Sequence, residues 1–364
     1  MYDAIMQHAQ SPHGGILVIS YPRIGDFVRT HTLVQLLRER HPDAPIDVMA
    51  RSPTIELAAL MPEVRHGIGE SLRAGRLDLG ARLALARQLR ANRYRMVVVA
   101  SRAWKAALIP LLAGIPERVG WFGEFRYPLI NRPRFGEGRF TRFLDRMAPL
   151  GLAPGEELPA TWPPARLVVP QTIMQQWRAT AEEANDRRPI LALGPGASWQ
   201  GKMWPADRFA ALARRAVNKG WTVWITGGAG DTQLAEAIQA TAQVPMRILT
   251  THPLLHSTCP LKKCDVYAGN DSGQLHLAAG LGTASVGIFG ASDPDREAPI
   301  HSNIRIAGPM PGASLGTPAS WPSVDAVEEQ LTAVMAAHPR VEPVPHGHAT
   351  TRRRDAVEAP QAEE

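Results

Sequence analysis

Short apolar runs alternate with amphipathic stretches along most of the chain. Residues 16–20 (ILVIS) are predicted as a buried strand, and residues 26–40 follow as a helix with Phe27, Leu33, Val34 and Leu37 on its apolar side. Buried strands separated by helices are typical of parallel sheets covered on both faces, so the predicted fold class is α/β. The other predicted strands are 46–50, 96–100, 117–122, 189–194, 222–227, 246–250, 266–269 and 284–290, and the other helices are 205–220, closed by Gly220, and 231–241.

The alternation is interrupted near residue 151. Residues 151–171 are rich in proline and glycine and lack a helical period, as is typical of a linker between domains. The pattern therefore predicts two doubly wound domains facing a cleft, residues 1–160 and 161–337. Residues 338–364 combine charge and proline without periodicity, and we predict a disordered tail there.

The composition indicates an ordinary globular protein. The chain has 364 residues, 45% apolar and 20% charged, enough for two or three domains with substantial cores. Its two cysteines, Cys259 and Cys264, are too few for a disulfide framework and have no nearby histidine pair at zinc spacing. The first 15 residues lack the features of a secretory signal, and no apolar run approaches the roughly 18 residues that span a bilayer. We therefore expect a cytoplasmic protein without a metal or other cofactor.

Positive charge is concentrated in one segment of the chain. The net charge is +6, but residues 82–146 carry 13 arginines and one lysine against four acids, a local net charge of +10. Such a segment suits nucleic acid, an acidic lipid or a phosphorylated glycan, although it is also compatible with a solvated arginine-rich face. No DNA- or RNA-binding motif accompanies it, so nucleic acid is not a predicted partner.

A first candidate site follows the first predicted strand, at residues 21–28 (YPRIGDFV). Ligands of open α/β sheets bind beyond the carboxyl ends of the strands. Gly25 would allow a sharp strand-to-helix turn, and Asp26 would then point into the cleft. The alternative is that Asp26 is only the N-cap of the following helix. A dinucleotide-binding G-x-G-x-x-G pattern is absent.

A second candidate site, residues 194–205 (GPGASWQGKMWP), has the parts of a phosphate cradle. Gly194, Gly196 and Gly201 would let backbone amides turn inward, Ser198 offers a hydroxyl, and Lys202 offers a positive charge. The spacing is not that of a P-loop, and a glycine-rich turn with an exposed lysine is the alternative.

The third candidate site, residues 269–282 (GNDSGQLHLAAGLG), predicts a helix whose N-terminus binds an anion. Its free amides carry partial positive charge, Gly273 would let a phosphate approach, and His276 could donate a hydrogen bond to it. Asp271 would cap or orient the turn beside Ser272, since two anions repel. An Asp-capped helix with a packed histidine is the alternative.

Two further stretches carry weaker signals. Residues 227–231 (GGAGD), with Gly228, could receive the nucleoside of a nucleotide ligand. Residues 293–295 (DPD) imitate the D-x-D metal motif of some glycosyltransferases, but their proline-containing loop favours an ordinary turn.

Taken together, these stretches resemble glycosyltransferase family 9, the heptosyltransferases of lipopolysaccharide inner-core assembly. The resemblance runs from about residue 16 to about residue 300, and its most specific part is the D-S-G-x-x-H pattern at residues 271–276. The segment GWFGEFRYPLINRP, residues 120–133, is more similar to the second inner-core heptosyltransferases than to the first. SYPRIGD, residues 20–26, is closer to generic members of the family.

The resemblance implies a GT-B architecture, with the acceptor in the first Rossmann-like domain and the nucleotide sugar in the second. It implies inverting transfer of heptose from ADP-heptose to a phosphorylated lipopolysaccharide core, without a metal, by a cytoplasmic enzyme that could bind the inner-membrane surface. Asp26 matches the general base. The matching donor contacts are Ser198, Lys202, Ser272, Gly273 and His276, and we add Gly228 and Asp271 to that site and Arg102, Arg126 and Arg132 to the acceptor site.

Other functions remain open at this point. The chain could be a family member with another nucleotide sugar or acceptor glycan, or a non-catalytic nucleotide-sugar-binding protein. The joint presence of Asp26 and Lys202 favours an enzyme, because a binding module has no need of a base. An NAD-dependent oxidoreductase is disfavoured by the missing fingerprint.

Overall fold

Two parallel six-stranded sheets organise the computed structural model, which describes residues 14–73, 75–180 and 188–338. Both are doubly wound, which confirms the predicted α/β class of two Rossmann-like units. The first sheet contains β1 (Ile16–Ile19), β2 (Ile46–Arg51), β3 (Val64–Glu70), β4 (Met96–Val99), β5 (Glu117–Trp121) and β6 (Arg132–Arg134) in the order β3-β2-β1-β4-β5-β6. The second contains β7 (Ile190–Gly194), β8 (Thr222–Thr226), β9 (Arg247–Leu249), β10 (Val266–Asn270), β11 (Ala284–Ile288) and β12 (Ile304–Ala307) in the order β12-β11-β10-β7-β8-β9.

Helices connect the strands and cover both faces of the sheets. Among the described residues, no helix is both long and apolar enough to cross a bilayer. The helices are α1 (Ile24–Arg40), α2 (Leu79–Ala91), α3 (Trp104–Ala113), α4 (Phe143–Met147), α5 (Gln171–Thr180), α6 (Ala206–Asn218), α7 (Thr232–Ala242), α8 (Thr258–Lys263), α9 (Gly273–Gly280), α10 (Pro294–Glu297) and α11 (Val324–Ala337).

The two faces of the first sheet belong to two different cores. Ile16 and Val18 of β1 pack in the core that contains residues of α1, whereas Leu17 and Ile19 pack in the core that contains residues of α2 and α3. Successive side chains of a strand point to opposite faces, so an uninterrupted apolar run fills both cores. Because both faces of β1 must be apolar, the strand can be predicted from the sequence.

The strands that the sequence pattern does not predict lie at sheet edges. β3, β6 and β12 each have one neighbouring strand. Their side chains are mostly half-buried or exposed, so they need no continuous apolar run. The predicted end of helix α6 is confirmed, because Gly220 follows it with φ +83°, a conformation that favours glycine.

The segment between the sheets is extended and hydrogen-bonded to both halves of the protein. Thr32 of α1 donates its hydroxyl to the Pro163 carbonyl at 2.8 Å, and the Leu167 amide donates to the Gly280 carbonyl at 2.8 Å. The predicted domain boundary at residues 160 and 161 falls within this segment, and its position stays a prediction. The predicted disordered tail lies outside the described residues from position 339 onwards.

Candidate active site

One cleft of about 600 Å³ is lined by loops from both halves of the protein. These loops include those that follow β1, β7, β8, β9 and β10. The strand order reverses between β1 and β4 in the first sheet and between β7 and β10 in the second. Ligand sites of open α/β sheets form at such switch points. The cleft brings together the predicted base and all predicted donor contacts: Asp26, Ser198, Lys202, Gly228, Asp271, Ser272, Gly273 and His276.

The N-termini of α1 and α9 meet at this cleft. A Cβ atom on Gly25 would lie 3.0 Å from the His276 ring, and a Cβ atom on Gly273 would lie 2.6 Å from the Ile24 Cβ. Both glycines therefore permit close contact between the halves, a reason that the sequence analysis did not foresee. Neither helix has a side-chain cap, so both present unpaired amides and partial positive charge to the cleft.

Asp26 lies in the first turn of α1. The helix begins at Ile24 with Arg23 at the N-cap position, and the only side-chain hydrogen bond of Asp26 among the described residues is with Arg29, so the N-cap interpretation is wrong. The Asp26 side chain is 19% exposed, and Arg29 Nη1 donates to its Oδ1 at 3.0 Å. Burial raises the pKa of Asp26, and the charges of Arg29 and Arg23 oppose that rise. Asp26 is thus a partly desolvated carboxylate with increased basicity.

Arg29 connects Asp26 to the second half of the protein. Its Nη2 donates to the backbone carbonyl of Glu297 and, at 3.1 Å, to the Glu297 carboxylate. Neither Arg29 nor Glu297 was predicted from the sequence as a site residue. Arg29 could have been found as the i+3 partner of Asp26 on a predicted helix, whereas nothing in the sequence relates Glu297 to α1.

Lys202 is held in the cleft by a carboxylate. Its Nζ lies 2.5 Å from Asp271 Oδ2, which also accepts a hydrogen bond from the Ser292 hydroxyl at 2.7 Å. Asp271 therefore positions Lys202. It does not cap α9, whose N-cap residue is Ser272 without a side-chain cap, and the assignment of Asp271 to the donor site stays a prediction.

Asn270 fixes the loop that carries Lys202. Its buried amide accepts a hydrogen bond from the Trp204 amide at 2.9 Å and donates one to the Pro195 carbonyl at 2.7 Å. The end of β10 thus holds both ends of the loop that follows β7. Asn270 was not predicted as a site residue, although this residue lies between the predicted strand and Asp271.

Glycines of the second candidate site make room for side chains. Added Cβ atoms would lie 1.9 Å from the Tyr267 hydroxyl at Gly194, 2.4 Å from the Asp231 carboxylate at Gly196, and 1.6 Å from the Trp199 ring at Gly201. These contacts give each glycine a packing reason in addition to the expected turning of amides towards a phosphate.

Asp231 places a carboxylate in the part of the cleft that the second half of the protein forms, a site role that was not predicted from the sequence. The Gly228 amide donates to Asp231 Oδ2 at 2.8 Å. Asp231 lines the cleft beside Gly196 and Gly228. A carboxylate there can accept hydrogen bonds from sugar hydroxyls but would repel a phosphate, so the phosphate end of a ligand belongs nearer Lys202.

Ser272 and His276 line the cleft at the start of α9. The buried hydroxyl of Ser272 has no hydrogen-bond partner of ordinary geometry among the described residues, and neither has that of Tyr267 on β10, which is fully buried and lies outside the lining of the cleft. Burial, with the charges of Arg29, His301 and Lys202, holds the pKa of His276 well below its usual value. A neutral His276 can still donate one hydrogen bond.

The three predicted acceptor arginines lie outside the lining of the cleft. Arg102 is exposed and pairs with Glu124 at 3.3 Å and Glu137 at 3.4 Å, and Arg132 is exposed on β6. Arg126 is only 1% exposed. Its guanidinium donates to the backbone carbonyls of residues 101, 121 and 123, which gives it a structural role.

Tyr21 relates these arginines to the Asp26 end of the cleft. Burial and the charges of Glu137 and Asp26 together raise the pKa of Tyr21 to about 12, although the charges of Arg126 and Arg102 oppose the rise. Tyr21 is therefore within electrostatic reach of both Asp26 and the arginines. An acceptor contact by Arg102, Arg126 or Arg132 stays a prediction.

The D-x-D stretch is a helix start. Asp293 caps α10, because its Oδ1 accepts the Asp295 amide at 2.9 Å. In the described part of the chain, no group of three or more His, Cys, Asp or Glu residues could hold a metal ion.

Comparisons with known proteins agree with this geometry. The family model for glycosyltransferase family 9 (heptosyltransferase) matches residues 82–313. The chain is 32% identical over 302 residues to lipopolysaccharide heptosyltransferase 2 of Salmonella typhimurium and of Escherichia coli K12, covering 80% of this chain and 87% of each relative. It is also similar to the solved structure of E. coli ADP-heptose LPS heptosyltransferase II, with 29% identity, a TM-score of 0.78, and coverage of 89% of this chain and 99% of that one.

Proposed function

Because the chain belongs to glycosyltransferase family 9 and is a glycosyltransferase, we propose that it transfers heptose from ADP-heptose to the lipopolysaccharide inner core, with inversion. The observation that carries the proposal is one cleft containing Asp26 from the first half and the Lys202–Asp271 pair with the uncapped α9 N-terminus from the second. The relatives at 29–32% identity are lipopolysaccharide heptosyltransferases, one of them an ADP-heptose enzyme by name, which supports this donor and this acceptor class.

Asp26 is the proposed general base. A sugar hydroxyl is a weak nucleophile at neutral pH, so its proton must leave as the new glycosidic bond forms. The Asp26 carboxylate takes this proton while the hydroxyl oxygen attacks the anomeric carbon of the donor. The bond from that carbon to the ADP oxygen breaks on the opposite face, and its electron pair stays on the departing diphosphate.

Lys202 and the start of α9 are proposed to stabilise that diphosphate. The amides of α9, the Ser272 hydroxyl and a neutral His276 can donate hydrogen bonds, and Lys202 supplies a full positive charge. Because Asp271 already holds Lys202 at 2.5 Å, the charge is positioned before the donor arrives. We place the nucleoside of the donor near Gly228 and Asp231.

The acceptor is proposed to approach from the arginine-rich side of the first half. A phosphorylated core sugar is anionic, and exposed Arg102 and Arg132 can attract it. We propose that Arg126 also belongs to the acceptor site, because its guanidinium holds the loop between β5 and β6 in place. An attraction between exposed charges weakens with salt, because screening acts over about 10 Å at 0.1 M.

A panel of nucleotides tests the donor assignment. ADP should raise the melting temperature, since a ligand at a hundred times its Kd stabilises the folded state by about 2.7 kcal/mol. GDP and UDP at the same concentrations should raise it much less. A strong shift with GDP or UDP and none with ADP would overturn the ADP-heptose assignment and favour another nucleotide sugar.

Replacement of Arg29 by glutamine should move the acid limb of the pH–rate profile. Asp26 must be deprotonated to act as a base, so activity falls as the pH drops through its pKa. Arg29 lowers that pKa, and its removal should raise it further. We therefore expect the acid limb of kcat/KM for Arg29→Gln at higher pH than for wild type, with partial recovery of activity in alkaline buffer.

The matched control for this shift is Arg215→Gln. Arg215 also pairs with two acids, Asp325 and Glu328, but on the surface far along the chain from the cleft. Its replacement should leave the profile unchanged. An unshifted acid limb in Arg29→Gln would show that a group other than Asp26 titrates there.

A further inference from the structure

Four exposed aromatic side chains lie on and beside the connection between β5 and β6. They are between 56% and 98% exposed, with Phe125 at the upper limit. Exposed apolar side chains that are grouped in this way mark interaction sites, whereas single ones need no explanation. We define the aromatic patch as Phe122, Phe125, Tyr127 and Phe135.

The backbone holds this patch outwards. Glu124 and Phe125 have φ values of +53° and +55°, which non-glycine residues adopt only at a cost. Beneath them, the buried Arg126 guanidinium donates to three backbone carbonyls and fixes the base of the connection. Phe125 is thus presented by a specified conformation.

Two members of the patch are in contact. The Phe122 and Phe135 rings lie 5.1 Å apart between centroids, and the Phe122 amide donates to the Arg134 carbonyl at 2.8 Å. β5 and β6 therefore bring residues that are 13 positions apart onto one surface.

Positive charge surrounds the patch. Arg102, Arg132 and Arg139 are exposed, and Arg102 is joined to the connection by its ion pair with Glu124. The segment 82–146 as a whole carries a net charge of +10. Exposed aromatic rings combined with arginines match the interface of an anionic bilayer, where rings lie at headgroup depth and cations meet lipid phosphates.

We propose that the aromatic patch docks the protein on an anionic phospholipid surface. This inference rests on the proposed function, because a lipopolysaccharide core acceptor is anchored in a membrane. The patch lies on the Asp26 side of the protein: Arg126 bonds the Ser101 carbonyl after β4, and Tyr21 after β1 lies within electrostatic reach of Arg102. Docking there would place an embedded acceptor on the same side of the protein as Asp26.

Vesicle sedimentation tests the docking surface. Wild-type protein should bind vesicles of phosphatidylcholine mixed with phosphatidylglycerol and bind pure phosphatidylcholine much less. The double variant Phe125→Ser/Tyr127→Ser should lose about tenfold or more of this binding, because two rings no longer leave water. The control Met310→Ser/Leu315→Ser removes two exposed apolar side chains from the second half and should bind like wild type.

Steady-state kinetics distinguish docking on a bilayer from binding of a glycan by the aromatic patch. The patch variant should have a raised KM for acceptor embedded in vesicles and an unchanged KM for a water-soluble core oligosaccharide. A KM raised equally for both would assign the patch to the glycan and overturn the proposal, as would vesicle binding that is absent or unaffected by the variant. A patch-dependent dimer in solution without vesicle binding would assign it to a second copy. Transfer to the soluble acceptor tests the proposed function separately, because it needs no membrane.

Discussion

Asp26→Asn is expected to fold, to bind the nucleotide sugar, and to lose at least about a hundredfold in kcat. A positioned base contributes roughly 10²–10⁴-fold, and asparagine cannot accept the acceptor proton. The substitution keeps the shape of the side chain, and its amide oxygen can still accept from Arg29, which lies 3.0 Å from Asp26 Oδ1. Purified variant and wild type should be compared by melting temperature, ADP titration and initial rates at saturating donor.

Asp207→Asn is the matched control for this variant. Asp207 also lies in the first turn of a helix, α6, but it is outside the lining of the cleft. Its replacement should leave kcat unchanged. If Asp26→Asn turned over at the wild-type rate, the base would have to be another group, whatever the effect on stability.

Lys202→Ala is expected to reduce kcat by about 10²–10³-fold and to remove most of the thermal shift caused by ADP. A preorganised charge at a departing group contributes an effect of this size. The variant also leaves Asp271 without its cation beside the diphosphate, so like-charge repulsion should weaken ADP binding further. Thermal shifts over a range of ADP concentrations, with rates at saturating donor, would measure both effects.

Lys219→Ala provides the comparison for that substitution. Lys219 forms an ion pair of the same length, 2.5 Å, with Glu328 on the surface. Its loss should change neither the ADP shift nor kcat. A wild-type ADP shift in Lys202→Ala would contradict the assignment of Lys202 to the donor phosphates.

The parts of the site that are readable from sequence follow the central strands. β1, β7 and residues 266–269 of β10 lack charged side chains because both of their faces are buried, so pattern alone locates the ends of these strands. Asp26, Lys202 and Asp271 lie in the segments that follow. The edge strand β6 has only three residues and no continuous apolar run, so the pattern gives no signal for it.

The contacts in the site that cannot be predicted from the sequence join residues that are far apart in the chain. Nothing near Glu297 in the sequence indicates that it meets Arg29, 268 positions away. The close contact of Gly273 with Ile24 is likewise not predicted from the sequence. The neighbours of Gly273 in the sequence suggest only that a glycine there leaves room for a phosphate. The cap interpretation of Asp26 failed because α1 begins two residues before it, and helix ends are poorly fixed by periodicity.

The most direct test of the proposed transfer is a reaction of the purified protein with ADP-heptose and a lipopolysaccharide core acceptor, followed by mass spectrometry and NMR of the product. We expect release of ADP, an acceptor heavier by one heptosyl unit, and inverted configuration at the new anomeric carbon. A product with retained configuration, or transfer from a GDP- or UDP-sugar but not from ADP-heptose, would contradict it.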